Sequence, residues 1–386
     1  MHEGISSWRD FFVGRQWRGR PYLISPFGDM AASGGIALLV LPLLFMLFPV
    51  GGSHFSEQRI YVGALMGALA FMVNDPHFIS SYQLLYRDYS AKLRRFRDMP
   101  ELWMRYMVAG IIVPLIMVAY FTYAIATQRA ELFVYAIAAM FFFVGWHYVK
   151  QSYGLLIVLS AMKKIYYNRW QRNILLINCY IVWLTMMLET FAGSMHPLMP
   201  VEDKWGVPYR TPHLFDVPPA VETGAAGLLL ISFIISLLAI VWEKKSPSKT
   251  GMMGYFSMYI FLVLAAVHPF WILIYPFFHS LQYLMFVYAY KRGEMGVKLA
   301  ETVNSDEKQK LNMARCRFVL TAFFGGILAL EVAPPAVEGL INPHHAIFFP
   351  LFAAVTIFIN IHHYFIDNVI WRKEHTEVSK YLFHRG

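Results

Sequence analysis

The chain is 386 residues long, 58% hydrophobic and 17% aromatic, with only 15% charged residues and a formal charge of +9. A soluble domain carries nearer a quarter charged residues, and here the apolar residues come in runs of about 20, the length that crosses roughly 30 Å of hydrocarbon. The composition therefore excludes an ordinary soluble enzyme, and the lack of short alternating segments excludes a transmembrane barrel. The basic residues sit in short loops between apolar runs, which is the signature of membrane orientation and not of a nucleic-acid surface.

From the N-terminus, residues 1–28 mix Arg9, Arg15, Arg18 and Arg20 with Trp8, Phe11 and Trp17. They lack an apolar core with a small-residue cleavage site, so they predict a cytoplasmic, partly interfacial lead-in and no cleaved signal. An all-α, polytopic transmembrane bundle is predicted over 29–370, with a cytoplasmic tail at 371–386. Ten spans fall at 29–50, 60–86, 103–126, 131–161, 173–193, 222–242, 251–267, 269–290, 316–336 and 345–370. With both termini inside, 28 of the 33 basic residues lie in cytoplasmic segments. Arg59, Arg129, Lys204 and Arg210 lie outside, and Lys150 lies within a span. That asymmetry supports the span count and orientation, and it suits a multi-pass protein of a bacterial inner (cytoplasmic) membrane. The tightest stretch is 251–290, where two spans share "AVHPFW" as their turn. The Pro-rich outer loop 194–221 is expected to lie on the membrane surface. Cys179 and Cys316 give no disulfide framework.

Ionisable groups inside spans are expensive and usually face a bundle interior or cavity. Four spans carry histidine well inside, each with polar company three or four residues away on the same helix face. "V-N-D-P-H-F" sets Asn74 and Asp75 before His77; "W-H-Y-V-K-Q" sets Lys150 and Gln151 after His147. "F-H-S-L-Q-Y" sets Gln282 after His279; "N-I-H-H-Y-F-I-D" sets Asn360 before, and Asp367 after, the pair His362 and His363. At 1.5 Å per residue, His77, His147 and His362 lie on the order of 24–26 Å from the outer ends of their helices, and His279 roughly 15 Å. All four spans run in the same direction, so the inferred site is in the cytoplasmic half of the bilayer.

Several imidazoles in a dry bundle suit a transition metal, with carboxylates and amides fixing their tautomers. His77, His147, His279 and His363 are the proposed ligands. His362 points about 100° away from its neighbour and is a second-metal ligand or a supporting group. Asp75, Asp367, Gln151, Gln282, Asn74 and Asn360 would orient ligands or hold a water. Lys150 would balance charge, with Asp75 or Asp367 its natural partner. One or two non-haem iron ions are the expected cofactor, with haem, copper and zinc as alternatives.

The expected function is an iron-dependent oxygenase or related oxidoreductase acting on a lipid-soluble small molecule. Membrane lipids surround it, and an electron-donor protein would meet its cytoplasmic side; no nucleic acid is expected. A proton- or cation-coupled transporter and a haem- or quinone-binding electron carrier are the competing classes. A second group (His196, His213, His268, His344 and His345, with Glu189 and Glu331) falls near outer loops, where polarity costs little. The "N-P-H-H" and "N-I-H-H" pairs lack the preceding histidine of the H-x-x-H-H boxes of membrane desaturases, and no family is assigned.

Overall fold

The computed structural model describes residues 22–47, 65, 68–192, 202–204, 207–209, 216–242, 247–267, 275–302, 304–344, 349–372 and 374–383. A helix lies in each of the ten predicted segments. Helix α1 runs through Pro26–Met30, a π turn Ala31–Gly35 and Ile36–Leu47. A π turn at Ala70–Asn74 leads into α2, Asp75–Tyr86, and the short α3, Tyr89–Arg95, follows. Next come α4 (Pro100–Ala126), α5 (Ala130–Met162) and α6 (Arg169–Phe191). After them come α7 (Pro219–Val241), α8 (Lys249–Val267) and α9 (Tyr275–Glu301). Helix α10 (Ser305–Ile341) precedes α11 (Leu351–Ile370) and the terminal α12 (Thr376–Phe383).

Five of these, α4, α5, α6, α7 and α10, are long and apolar enough to cross a membrane. Their outward side chains are apolar. Leu115 is 65% exposed on α4 and Leu230 61% on α7, whereas Asp75, His77, Gln171, Asn178, His279 and Gln282 are buried. Apolar outside and polar inside reverses the soluble pattern and fits a multi-pass protein whose solvent is lipid. The shared turn expected in "AVHPFW" lies outside the described residues, as do His196, His213, His268 and His345 of the outer group. Of that group's remaining histidine, the structure shows His344 exposed. The Pro-rich segment 194–221, predicted as loop throughout, carries a small antiparallel hairpin pairing β1 (Glu202–Lys204) with β2 (Val207–Tyr209).

Local chemistry explains the helix ends and kinks that matter to the site. Ser25 Oγ accepts from Gly28 N–H at 2.9 Å, and Pro26 opens the first turn of α1, both standard helix-start features. Gly34 then takes φ 142°, a conformation that favours glycine, where a Cβ would lie 3.2 Å from the Met253 carbonyl. The chain thus bends while α1 is pressed onto α8. At the start of α6, Asn168 and Gln171 form a capping box.

Helix α11 packs between α5 and α2, while α9 lies on the π turn before α2 and on α12. These contacts bring four of the helices that carry buried histidine around one interior volume. Three π turns border it, and such turns leave backbone carbonyls without their helical donors. The Ser33 carbonyl takes Gln282 Nε2 at 3.3 Å, and the Ala109 carbonyl, in the turn Val108–Ile112 of α4, bonds His362 Nε2 at 2.7 Å. Pro114 has no N–H for the carbonyl four residues back; that carbonyl, Gly110, accepts from Tyr86 Oη at 2.9 Å. On the cytoplasmic side by the predicted orientation, Glu294 is clamped by Lys291, Lys298 and Arg87 at 2.8–3.0 Å, tying the chain after α2 to α9.

Candidate metal centre

His77 of α2, His147 of α5, His279 of α9 and His363 of α11 meet in the interior. One ring nitrogen from each lies within 4.8 Å of the others, and all four residues are buried. The rings stand roughly edge to face. Centroids are 4.2 Å apart for His77 and His363, and 4.7 Å for His147 and His279. Nitrogens on a common tetrahedral ion at roughly 2.0–2.1 Å are about 3.3–3.4 Å apart, so the widest pair would close by up to about 1.4 Å to seat one ion among all four.

Two hydroxyls set the tautomers. Ser81 Oγ donates to the Phe78 carbonyl at 2.7 Å, so toward His363 Nδ1, at 2.9 Å, it can only accept. Nδ1 therefore carries the proton, and His363 Nε2 keeps its lone pair. Ser280 Oγ likewise donates to Asn74 Oδ1 at 2.9 Å and accepts from His77 Nδ1 at 2.9 Å, leaving the His77 Nε2 lone pair free. Those two Nε2 atoms have no hydrogen-bond partner, nor do His147 Nε2 and either nitrogen of His279. A buried polar atom left without a partner costs about 1–3 kcal/mol. Several such atoms converging on one point are what a ligand site looks like before its ligand is counted. Neutral imidazole nitrogens held by outer hydroxyls are the donor set that first-row transition metals accept. The residues present fit an ion.

Asp367 completes the group. Its Oδ2 lies 3.3 Å from His363 Nε2, one helical turn away, and 3.5 Å from His147 Nε2. A carboxylate facing the His363 Nε2 lone pair is repelled unless a proton or a cation sits between them, which gives Asp367 a direct place at the site.

The other sequence-derived candidates fall elsewhere. His362 is turned away from the centre. Its Nε2–H donates to the Ala109 carbonyl at 2.7 Å, so its Nδ1 accepts from Tyr82 Oη at 2.7 Å; both nitrogens are engaged by protein. Asn360 donates back to Thr356 of its own helix at 2.9 Å, so the resemblance between "N-D-P-H" and "N-I-H-H" has no counterpart in space. Gln151 Nε2 donates to the His279 carbonyl at 2.9 Å and to Gln282 Oε1 at 3.1 Å, and Gln282 reaches on to Ser257 Oγ at 3.2 Å. These two amides tie α5, α9, α1 and α8 together.

Asp75 is buried at the Gly326 backbone of α10, where a Cβ on that glycine would lie 2.7 Å from the Asp75 Cβ. It is not one of the grouped residues. Lys150 Nζ donates to Asn368 Oδ1 at 2.6 Å, an amide where a carboxylate partner was expected. His279, read from the sequence as lying higher, shares the level of the others, one of its ring nitrogens lying within 4.8 Å of theirs. Ser81 and Ser280 escaped the sequence reading. Each is adjacent or one turn from a singled-out histidine, but hydroxyls in helices usually bond to their own backbone.

A cavity of about 580 Å³ opens beside the centre. His147, Asp367 and Tyr283 line it at the metal end, with Lys150, Asn368 and Arg372 next to them. Phe286, Ile157, Val158, Val378 and Leu382 line much of its remainder, together with Glu374 and Ser379. No family model, curated protein or solved structure matches the chain.

Proposed function

We propose that this protein is an integral-membrane metalloenzyme, an iron-dependent oxygenase or related oxidoreductase acting on a lipid-soluble substrate. It would span the membrane ten times, with both termini cytoplasmic, in a bacterial inner membrane. The observation that carries the reading is the convergence, within 4.8 Å, of ring nitrogens from four separate helices whose lone pairs meet no protein donor. A bare ion suits that spacing better than haem, because a macrocycle between two of the imidazoles would need the space the other two occupy. Bound iron would supply one-electron and dioxygen chemistry that no amino-acid side chain can.

The protein's own part is positional. Ser81 and Ser280 hold two imidazoles in the ligating tautomer, Asp367 offsets cationic charge, and Tyr283 and Tyr148 pack against the His77 and His279 rings. The adjoining cavity gives a hydrophobic molecule access to the open side of the site.

The test is elemental analysis of the purified protein together with its optical spectrum. Near-stoichiometric iron without a haem band is the expected result. A haem band would replace this reading with an electron carrier, and absence of any transition metal after purification without chelators would replace it with proton or cation transport.

A further inference from the structure

The cavity beside the centre is polar at one end and apolar at the other, and the polarity runs along α5. His147, Lys150 and Gln151 occupy the metal end; Gly154, Ile157 and Val158 follow. From His147 to Val158 the wall runs about 16 Å at 1.5 Å per residue. Across the cavity, Asp367, Asn368, Arg372, Glu374 and Ser379 contribute polar groups, while Phe286, Val378 and Leu382 contribute apolar ones.

One residue braces both cations of the polar end. Asn368 accepts Lys150 Nζ on its side-chain oxygen at 2.6 Å and Arg372 Nε on its carbonyl at 3.0 Å, and its own amide is tethered to the Tyr364 carbonyl at 3.1 Å. Lys150 thus keeps further N–H donors beyond an uncharged partner. The carboxylates nearest Arg372, on Glu101 and Glu374, lie at 3.7 and 3.9 Å, beyond good hydrogen-bonding distance. A low-dielectric wall magnifies the attraction of such cations for an anion.

We propose that this cavity binds a single-chain amphiphile with an anionic head. The carboxylate or phosphate would lie on Lys150 and Arg372, and the chain would lie along Ile157, Val158, Phe286, Val378 and Leu382. This deepens the metalloenzyme reading and rests on it for the claim that the molecule is a substrate. The head would lie beside His147 and Asp367, with the first carbons of the chain the next part of the molecule to the centre. An uncharged terpenoid or a quinone would leave the Lys150 ammonium with only its amide partner, and a two-chain phospholipid exceeds the volume of about 580 Å³.

The experiment measures binding of radiolabelled hexadecanoate to the purified full-length protein, with competition by hexadecanol, hexadecyl phosphate and hexadecylamine, and determines the metal content of the same samples. The acid and the phosphate are expected to compete at least tenfold better than the alcohol, and the amine worst. Carboxylate favoured over phosphate, or the reverse, identifies which head the site takes. Lys150→Met with Arg372→Gln should bring the acid down to the level of the alcohol while alcohol binding stays unchanged. Lys150→Arg should keep the preference, which guards against misfolding as the explanation. Equal binding of acid and alcohol by the wild-type protein, or an undiminished preference in the double variant, overturns the proposal. Metal present without acid preference sinks this inference alone; acid preference without metal sinks the metalloenzyme reading alone.

Discussion

Two buried polar clusters stand in the same bundle and differ in one respect. Between α6 and α8, Tyr259 Oη donates to Asn178 Oδ1, Asn178 Nδ2 donates to Tyr255 Oη at 2.7 Å, and Tyr255 Oη donates to the Leu175 carbonyl at 2.9 Å. Every donor in that chain ends on an acceptor, and the network is closed. Among α2, α5, α9 and α11, the hydrogen bonds run outward from the rings to Ser81 and Ser280 and leave the inner nitrogens with none. Closed networks fix how helices pack; an open one invites a ligand. The neighbours His362 and His363 repeat the contrast within one turn of α11, the first engaged on both nitrogens and the second on one.

Deleting a ligand should break the comparison most visibly. His363→Ala or His77→Ala is expected to lower metal affinity by more than about 100-fold, the upper range for outer supporting groups alone, as read by metal analysis after dialysis. Retained stoichiometric metal in both variants would make the open network merely structural. Removing the supporting hydroxyls tests the tautomer argument. Ser81→Ala and Ser280→Ala should each weaken metal binding by about 10–100-fold while the bundle stays folded. An unchanged affinity would mean the rings are held by packing alone.

Much of this architecture was legible in the sequence because lipid imposes simple rules. Apolar run length located the helices, and the expense of burying His77, His147, His279 and His363 marked them as a set. The spacing of Asp367 from His363 placed it correctly on the same face. What stayed hidden depends on rotation and on contacts between helices. Nothing in "N-I-H-H" says which histidine faces inward; that is fixed by the Ala109 carbonyl exposed in a π turn of α4 and by Tyr82, both far away in sequence. Asn360 looked equivalent to Asn74, but only Asn74 meets a hydroxyl from another helix. Lys150 was matched by charge to a carboxylate, whereas its reach ends at Asn368, on the cavity wall.

Changes in the closed network should move stability and leave the metal alone. Asn178→Ala removes the acceptor of Tyr259 Oη and one of the two partners of Tyr255 Oη and is expected to destabilise the protein by about 1–3 kcal/mol, seen as a lower unfolding temperature at unchanged metal content. Loss of metal in that variant would show the two clusters to be coupled.

The C-terminal segment offers a finer version of the contrast, since its buried histidine is also closed off. His375 Nε2 lies 2.5 Å from Tyr106 Oη, with Phe96 packed against its ring. Burial pushes its pKa down to about 4, against about 6.5 for an unfolded chain. Between those values the unfolded form binds the proton and the folded form does not. Stability that is fully present above about pH 6.5 is therefore lost progressively as the pH falls toward 4. Thermal unfolding between pH 7 and 4 should show that slope, and His375→Gln should flatten it. A metal bound by the four histidines would also be lost in acid, because protons compete for the same lone pairs. Metal release should continue to steepen with acid in the His375→Gln protein, while a variant that lost both slopes together would show that α12 and the centre open as one unit.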